Sequence, residues 1–390
     1  MDKHAGGRLR RYAIHHSSFD QWRISLMPIP SRLGYVLRGT VALALLAGCS
    51  GGGAGVPPAS SATSPQSVAT QSSSVLRPDV PELHSKLPAA AFVSSEIDAK
   101  GGASIIVSDA SDDVVDIFNG AGKQTAQLTG FSQPQGLALD ASGNLYVADT
   151  GNSRIQVYAA GFKGTPTTIN DPGESPASVT IDNKGNLGVT NILTTGGGPG
   201  SVSFFNKGGT LLATLSNANF AKVIFDAFDD KGNLYIDGTN ASGAFVAGEV
   251  VGGVSGNAIT ILATGNSVAY PGGIAISSTG KIALDDQKNV TIFTYNPPVS
   301  GSLGTPVATT PLTGAGDPIS FAFTRTNKHI WVADAARPAS PASTPGRPPK
   351  VLVSSADRYR YSKGGASRKD ILFNHGAQPD GIVLTGDAQP

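Results

Sequence analysis

Two short strand-like segments recur along the chain at a nearly constant interval, and this recurrence limits the fold more than any other feature. The first is LYVADT at Leu145, with cognates IIVSDA (Ile105), LGVTNI (Leu187), LYIDGT (Leu234), IALDDQ (Ile282) and IWVADA (Ile330). Successive copies start 40, 42, 47, 48 and 48 residues apart. The second is GLALD at Gly136, repeated as SVTID (Ser178), FDAFD (Phe225), GIAIS (Gly273), SFAFT (Ser320) and GIVLT (Gly381). In the clearest copy, Gln133 to Gly161, apolar residues alternate at Leu137 and Leu139, Leu145 and Val147, and Ile155 and Val157. That period of two reads as three short strands with one buried face, turning at Gly143-Asn144 and Gly151-Asn152. A period of 40 to 50 residues with several strands per unit is the signature of four-stranded propeller blades.

Each segment occurs six times, but the two series are out of step at the ends. The chain's ordered part opens on an IIVSDA-type strand with no GLALD partner, and it closes on GIVLT with nothing after it. An open sheet leaves unpaired N–H and C=O groups at its edge, so pairing the strand near Gly381 with residues 103–118 removes the last free edge. The expected fold is all-β: a six-bladed β-propeller closed by its two terminal strands, preceded by a signal peptide and a disordered tether. In the stretch PQGLALDASGNLYVADTGNSRIQVY both pattern and turn residues resemble the NHL-repeat family of six-bladed propellers, and the resemblance extends over about Ile105 to Leu384. Later copies depart from it: Ser178 and Ser320 stand where the motif has Gly.

The chain divides into residues 1–48, an N-terminal extension with a signal peptide; 49–100, a tether; and 101–390, the propeller. From Met27, a basic segment (Arg32, Arg38) is followed by an apolar run from Val41 to Ala47 and a small-residue boundary before Cys49. Met27 is therefore the expected true start. The segment Leu46, Ala47, Gly48, Cys49 resembles a bacterial lipobox. That resemblance implies cleavage before Cys49 and lipid attachment to it, and Ser50 after it implies the outer membrane where the cell has two. The apolar run is too short to cross about 30 Å of hydrocarbon. Residues 50 to about 100 are rich in Gly, Pro, Ser and Ala, with little to bury, as in a flexible tether. Cys49 is the only cysteine, so disulfides have no place in the fold.

Residues 1–48 carry seven Lys/Arg and two Asp/Glu of the chain's 29 and 28. The remainder holds 22 against 26 and is mildly acidic, which argues against bulk nucleic-acid binding. One stretch departs from this balance: Arg337 to Lys369 carries eight Lys/Arg and a Pro/Ser-rich insertion. It reads either as a solvated loop or as a surface for an anionic envelope polymer.

Propeller ligands commonly sit at the mouth of the axial channel. The residue before each GLALD-type segment is expected to face that mouth, which places Gln135, Ala177, Ile224, Gly272, Ile319 and Asp380 there, with Gln135 and Asp380 the polar candidates. Six-bladed propellers of the gluconolactonase and senescence-marker family hold a divalent metal through Glu-Gly, Asn-Gly and Asp-Gly steps. QPDGIVL resembles the Asp-Gly step and makes Asp380 the matching carboxylate, while the other two ligands have no counterpart. Asp109, Asp149 and Asp334 each follow a strand at the same place and are expected to accept turn N–H groups. His84, His329 and His375 are the histidines beyond the signal peptide, and none has a partner at motif spacing. No nucleophile elbow, Walker loop or paired C-x-x-C occurs.

These observations lead to a non-enzymatic, lipid-anchored, monomeric propeller that binds a protein or envelope polymer, with no catalytic residues and no cofactor. The alternative is a lactonase-like hydrolase or lyase with a divalent cation such as Ca²⁺ at the channel mouth.

Overall fold

The computed structural model describes residues 104–194, 196–338, 352–373 and 377–385. Cys49, its lipobox, the tether, His84 and His375 lie outside the described residues. Six antiparallel sheets are present. Blade one consists of Pro379–Leu384, Ser104–Asp109, Val114–Asn119 and Gln124–Leu128, from axis to rim. Blade two is Pro134–Leu139, Leu145–Asp149, Arg154–Tyr158 and Thr167–Asn170; blade three is Glu174–Ile181, Leu187–Thr194, Ser201–Phe205 and Leu211–Leu215. Blade four is Lys222–Phe228, Leu234–Thr239, Phe245–Val250 and Thr260–Thr264; blade five is Pro271–Ile276, Ile282–Asp286, Thr291–Tyr295 and Ala308–Thr313. Blade six is Pro318–Phe323, His329–Pro338, Leu352–Arg360 and Lys369–Leu372. Blades four and five each gain a short parallel outer strand, Ser302–Gly304 and Gly365–Ala366.

Closure is achieved as the unequal ends of the repeat require. Ser104–Asp109 pairs antiparallel with Pro379–Leu384, setting Ile105 opposite Leu384 and Ser108 opposite Gly381. Each inner strand touches the next around the ring, and the last touches the first. The two ends of the chain thus share one sheet, and the ring is closed.

The alternation of side chains across each strand fixes where the core lies. Successive residues point to opposite faces, and in a ring both faces of a blade meet a neighbouring blade. Six apolar clusters result, one in each seam. Ile106, Val115, Leu137 and Val147 fill the seam between blades one and two, while Ile105 and Val107 turn the other way to meet Trp331 and Ile382. The second strand of a blade is buried throughout, as at Leu145–Asp149 and Leu234–Thr239. Each fully buried Leu, Ile or Val contributes about 1.5–3 kcal/mol relative to exposure, so the seams carry most of the stabilisation.

Two turns show how local sequence sets these strands. In ASGN, Asp140 Oδ1 accepts the N–H groups of Ser142 and Asn144, and Gly143 takes φ 82°. The same arrangement recurs at Asp182–Asn186 and Asp229–Asn233. The Gly151-Asn152 turn differs from the hairpin expected. Thr150–Asn152 forms a single 3₁₀ turn, and the positive φ falls on Ser153, at 52°. Gly151 is needed for close approach, because a Cβ there would lie 2.9 Å from the Ser132 carbonyl oxygen.

Candidate functional site: the axial cavity and the cationic face of blade six

The inner strands enclose an axial cavity of about 300 Å³. Small residues let them draw together. A Cβ on Gly136 would lie 2.5 Å from Ser178 Cα, and one on Gly273 would lie 2.9 Å from Ser320 Cα. The wall is formed from the GLALD-type segments themselves, beginning at Gly136, Ser178, Phe225, Gly273, Ser320 and Gly381. Asp380 also belongs to this wall; it is buried, and Gln378 Nε2 donates to its Oδ1 at 3.3 Å. Gln135 lies one residue before Gly136, is partly exposed, and uses its carbonyl to accept from Ser108 Oγ. Asp226 lines the cavity from blade four, opposite Asp380's blade in the six-fold ring.

The strand-end carboxylates organise the approach to the cavity. Asp149 Oδ1 accepts the Ser132 N–H at 2.7 Å, and Asp109 Oδ1 accepts that of Gln378 at 3.0 Å. Asp286 accepts the Ala269 N–H at 2.8 Å, and Asp334 those of Gly316 and Asp317. Each thus holds the loop that delivers its blade's inner strand, and Asp109 and Asp334 also accept the local turn N–H groups of Ser111, Asp112 and Ala336 as expected. Blade three inverts the arrangement. Asn191 stands on the strand and donates to Ser201 and Ser203, whose hydroxyls donate in turn to the loop carboxylates Glu174 and Asp171. Among the described residues, no three His, Cys, Asp or Glu side chains form a group able to hold a metal ion. The fit of this wall to a hard cation that takes six to eight oxygens is accordingly poor.

Three carboxyl groups have no counterpart in the sequence reading. Asp237 and Asp285 are completely buried and Asp226 is 6% exposed. None of their six oxygens has a hydrogen-bond partner. Burial pushes Asp226 up to about 8; the Ser178 hydroxyl opposes this slightly, although no hydrogen bond forms between them. Burial raises Asp237 well above the carboxylate range, against the opposing pull of the Phe225 amide, and Asp285 and Asp226 add upward pressure. Asp285 is raised in the same way, by burial first and then by Asp286, Asp317 and Asp334, with the Asp286 amide opposing. The signal was present in the repeat: LYIDGT and IALDDQ carry Asp where LYVADT has Ala148, and FDAFD carries Asp where GLALD has Leu137.

Blade six sorts its charge by strand face. Arg358 lies opposite Trp331 and Lys369, and Arg360 opposite His329, so these cations share one face. Asp357 and Asp370, opposite each other, lie on the other face, where both pair with Arg337, at 2.6 and 2.5 Å. Arg358 Nη2 meets His329 Nδ1 at 3.1 Å, and the Lys369 ammonium donates to the Gly120 carbonyl. His329 is held below its ordinary value by burial and then by Arg358, Arg360, Arg368 and Lys328. Among the described residues, none of Lys328, Arg358, Arg360 and Arg368 makes an ion pair. Arg360, Arg368 and Lys328 are exposed.

A closed ring of six meander blades, with one copy rich in Gly, Asn and Asp at its turns, can now be compared with known proteins. Residues 131–158 match the NHL repeat. Among curated protein sequences, none matches the chain. Among solved structures, the ring is similar to a chain of a nidogen/laminin complex, with a TM-score of 0.52 and 16% identity over 74% of this chain and 100% of that one. It is equally similar to a protein of unknown function from Bacteroides caccae, with a TM-score of 0.52 and 14% identity over 73% of this chain and 99% of the other. A streptogramin B lyase is more remote, with a TM-score of 0.44 and 12% identity over 65% of this chain and 91% of that one. At these identities the likeness concerns the fold alone.

Proposed function

We propose that this chain is a non-enzymatic cell-envelope lipoprotein, anchored through Cys49, whose NHL-type propeller binds an anionic envelope polymer through the cationic face of blade six. The observation that carries this reading is the segregation of charge on that blade: Arg337 neutralises the acids of one face, while Arg358, Arg360, Arg368 and Lys328 gather around His329 without acids of their own. Guanidinium groups suit this task because their planar donor forks bind carboxylate and phosphate in pairs. The lipobox and the Gly/Ser/Pro-rich tether support an exported protein held at a membrane and spaced from it.

Two experiments test the reading separately. Labelled palmitate is incorporated by the native chain and lost in Cys49→Ser; unchanged labelling would refute the anchor. Binding of the propeller to immobilised polygalacturonate weakens with rising salt and is lost in the triple variant Arg358→Glu, Arg360→Glu, Arg368→Glu. Equal retention of that variant and the parent would remove the blade-six surface.

The second reading, a metal-dependent hydrolase or lyase of the gluconolactonase type, rests on Asp380 in the cavity wall. Lactone hydrolysis that is abolished both by chelator and by Asp380→Ala would establish it in place of the first.

A further inference from the structure

Four of the six seams are fastened by a hydroxyl that reaches into the next blade. Ser108 Oγ donates to the Gln135 carbonyl at 2.5 Å, Thr150 Oγ1 to Pro176 at 2.7 Å, and Thr190 Oγ1 to Ile224 at 2.7 Å. Ser354 Oγ donates to the Ala377 carbonyl, which leads into blade one. In every case the acceptor lies on the next inner strand or just before it. Among the described residues, no Ser or Thr hydroxyl reaches the next inner strand in this way between blades four and five or between blades five and six; there the bridging hydroxyls lie farther from the axis, Tyr295 donating to Asn266 Oδ1 and Thr294 meeting Tyr361.

Register shows what stands there instead. Ser108 lies opposite Gly381 and Thr190 opposite Ser178, each the first residue of a GLALD-type segment. Asp237 lies opposite Phe225, the same position in blade four. Asp285 sits between Leu284 and Asp286, which pair with Ile274 and Pro271, and so occupies that position in blade five. Room has been made for it: a Cβ on Gly272 would lie 2.8 Å from Asp285 Cβ and 2.9 Å from its Oδ2. The carbonyls that correspond to those of Gln135 and Ile224 belong to Gly272 and Ile319. An ionised carboxylate can only accept, so it would face a carbonyl oxygen with nothing to share; a neutral carboxylic acid has one O–H to donate.

We propose that Asp237 and Asp285 are neutral carboxylic acids that replace the Ser/Thr hydroxyl as O–H donors, fastening blade four to blade five and blade five to blade six. Their complete burial and the lack of a hydrogen-bond partner on any of their four oxygens agree with this assignment, since buried polar groups find partners in native folds; the nearby Phe225 and Asp286 amides pull the other way but are outweighed by burial. The charged groups that act on them are all acids: Asp226 and Asp285 on Asp237, and Asp286, Asp317 and Asp334 on Asp285. No cation among them favours the ionised form. Loss of these protons places a negative charge in each seam at once, so the arc from blade four to blade six opens in alkali while the hydroxyl-fastened arc does not.

The test uses the purified chain labelled with ¹³C at the Asp carboxyl carbons. Two carboxyl signals, identified by their loss in Asp237→Asn and Asp285→Asn, keep the protonated shift through neutral pH. Titration of both in the ordinary range near pH 4 would overturn the proposal. If the variants do not fold, the proposal still fails should every Asp signal of the parent chain titrate there. In urea, the Asn variants supply an N–H donor without charge, match the parent midpoint near pH 4, exceed it at pH 7 and lose its decline with rising pH; Asp237→Ala and Asp285→Ala unfold at lower urea than the Asn variants at every pH. Asn variants as labile as the Ala variants would also overturn it. Calcium chloride leaves the two signals unmoved; a calcium-induced shift with a raised midpoint would assign these oxygens to a bound cation instead.

Discussion

The arc of blades one to three and the arc of blades four to six share a repeat but close their seams by different chemistry. In the first, small residues bring inner strands within contact and neutral hydroxyls reach across: Gly136 meets Ser178, Gly381 meets Gln135, and Ser108 and Thr190 donate. In the second, Phe225 stands where Gly136 and Gly381 stand, Gly273 keeps the close approach to Ser320, and carboxyls occupy the hydroxyl column of blades four and five. A hydroxyl is neutral at any working pH and gives the same bond throughout. A carboxyl gives it only while protonated. One fold therefore contains seams whose fastening is indifferent to pH and seams whose fastening is not.

The largest effect expected from this difference is on stability against pH. Asp226 is held near 8 in the folded ring, and an unfolded Asp titrates near 4. Below about pH 4 both states carry the proton and stability is full. Between the two values the unfolded chain has released it while the folded chain retains it, so stability falls with rising pH by about 1.4 kcal/mol per unit for each such group. Asp237 and Asp285 act in the same direction. Asp370, lowered by its bond to Arg337, acts oppositely, adding stability above the unfolded value that is lost in acid. Urea midpoints at pH 5, 7 and 9 should fall in that order; a flat or rising series would erase the contrast between the arcs.

A side chain introduced in the tighter arc should have the next largest effect. Gly381→Val places methyl groups against the Gln135 carbonyl and Ser108 Oγ, and overpacking of this kind costs about 1–3 kcal/mol, occasionally more. The loss should be equal at pH 5 and pH 8, because no titrating group is involved; a pH-dependent loss would count against the assignment of this seam. Removing one hydroxyl is smaller. Thr190→Val keeps the shape and leaves the buried Ile224 carbonyl without its donor, a loss of about 1–2 kcal/mol, read from the urea midpoint. Smallest should be charge reversal on the rim. Arg368→Glu touches neither kind of seam and should leave the midpoint unchanged while weakening polyanion binding; a large drop in stability would make that residue part of the packing.

Much of the ring was readable before any coordinates. Strand alternation around Leu137, Leu145 and Ile155, the spacing of six LYVADT-type copies, and their mismatch with the GLALD-type copies together specify six blades and a split one. Asp109, Asp149 and Asp334 were readable as acceptors of backbone N–H, though not as clamps on loops 17, 18 and, for Asp109, 269 residues away in sequence. The acids of the seams were visible as departures from the repeat at Asp226, Asp237 and Asp285. Nothing local distinguishes them from turn carboxylates, since burial depends on a neighbouring blade whose facing residues, Gly272 and Ile319, are 35 and 34 positions from Asp237 and Asp285. Charge sorting on blade six was hidden for a related reason: Arg337 to Lys369 reads as one basic run, and only strand pairing assigns Asp357 and Asp370 to Arg337 and leaves Arg358 and Arg360 on the other face.

By itself, then, the order of residues determined the repeat unit, the number of blades and the manner of closure, because these follow from a period of two within strands and a period near 45 between them. The tertiary structure decided which carboxyls lose their solvent and which cations keep it. Those outcomes depend on what a neighbouring blade places across a seam, and the free energy of a charge depends on that surrounding far more than on the residues beside it in the chain.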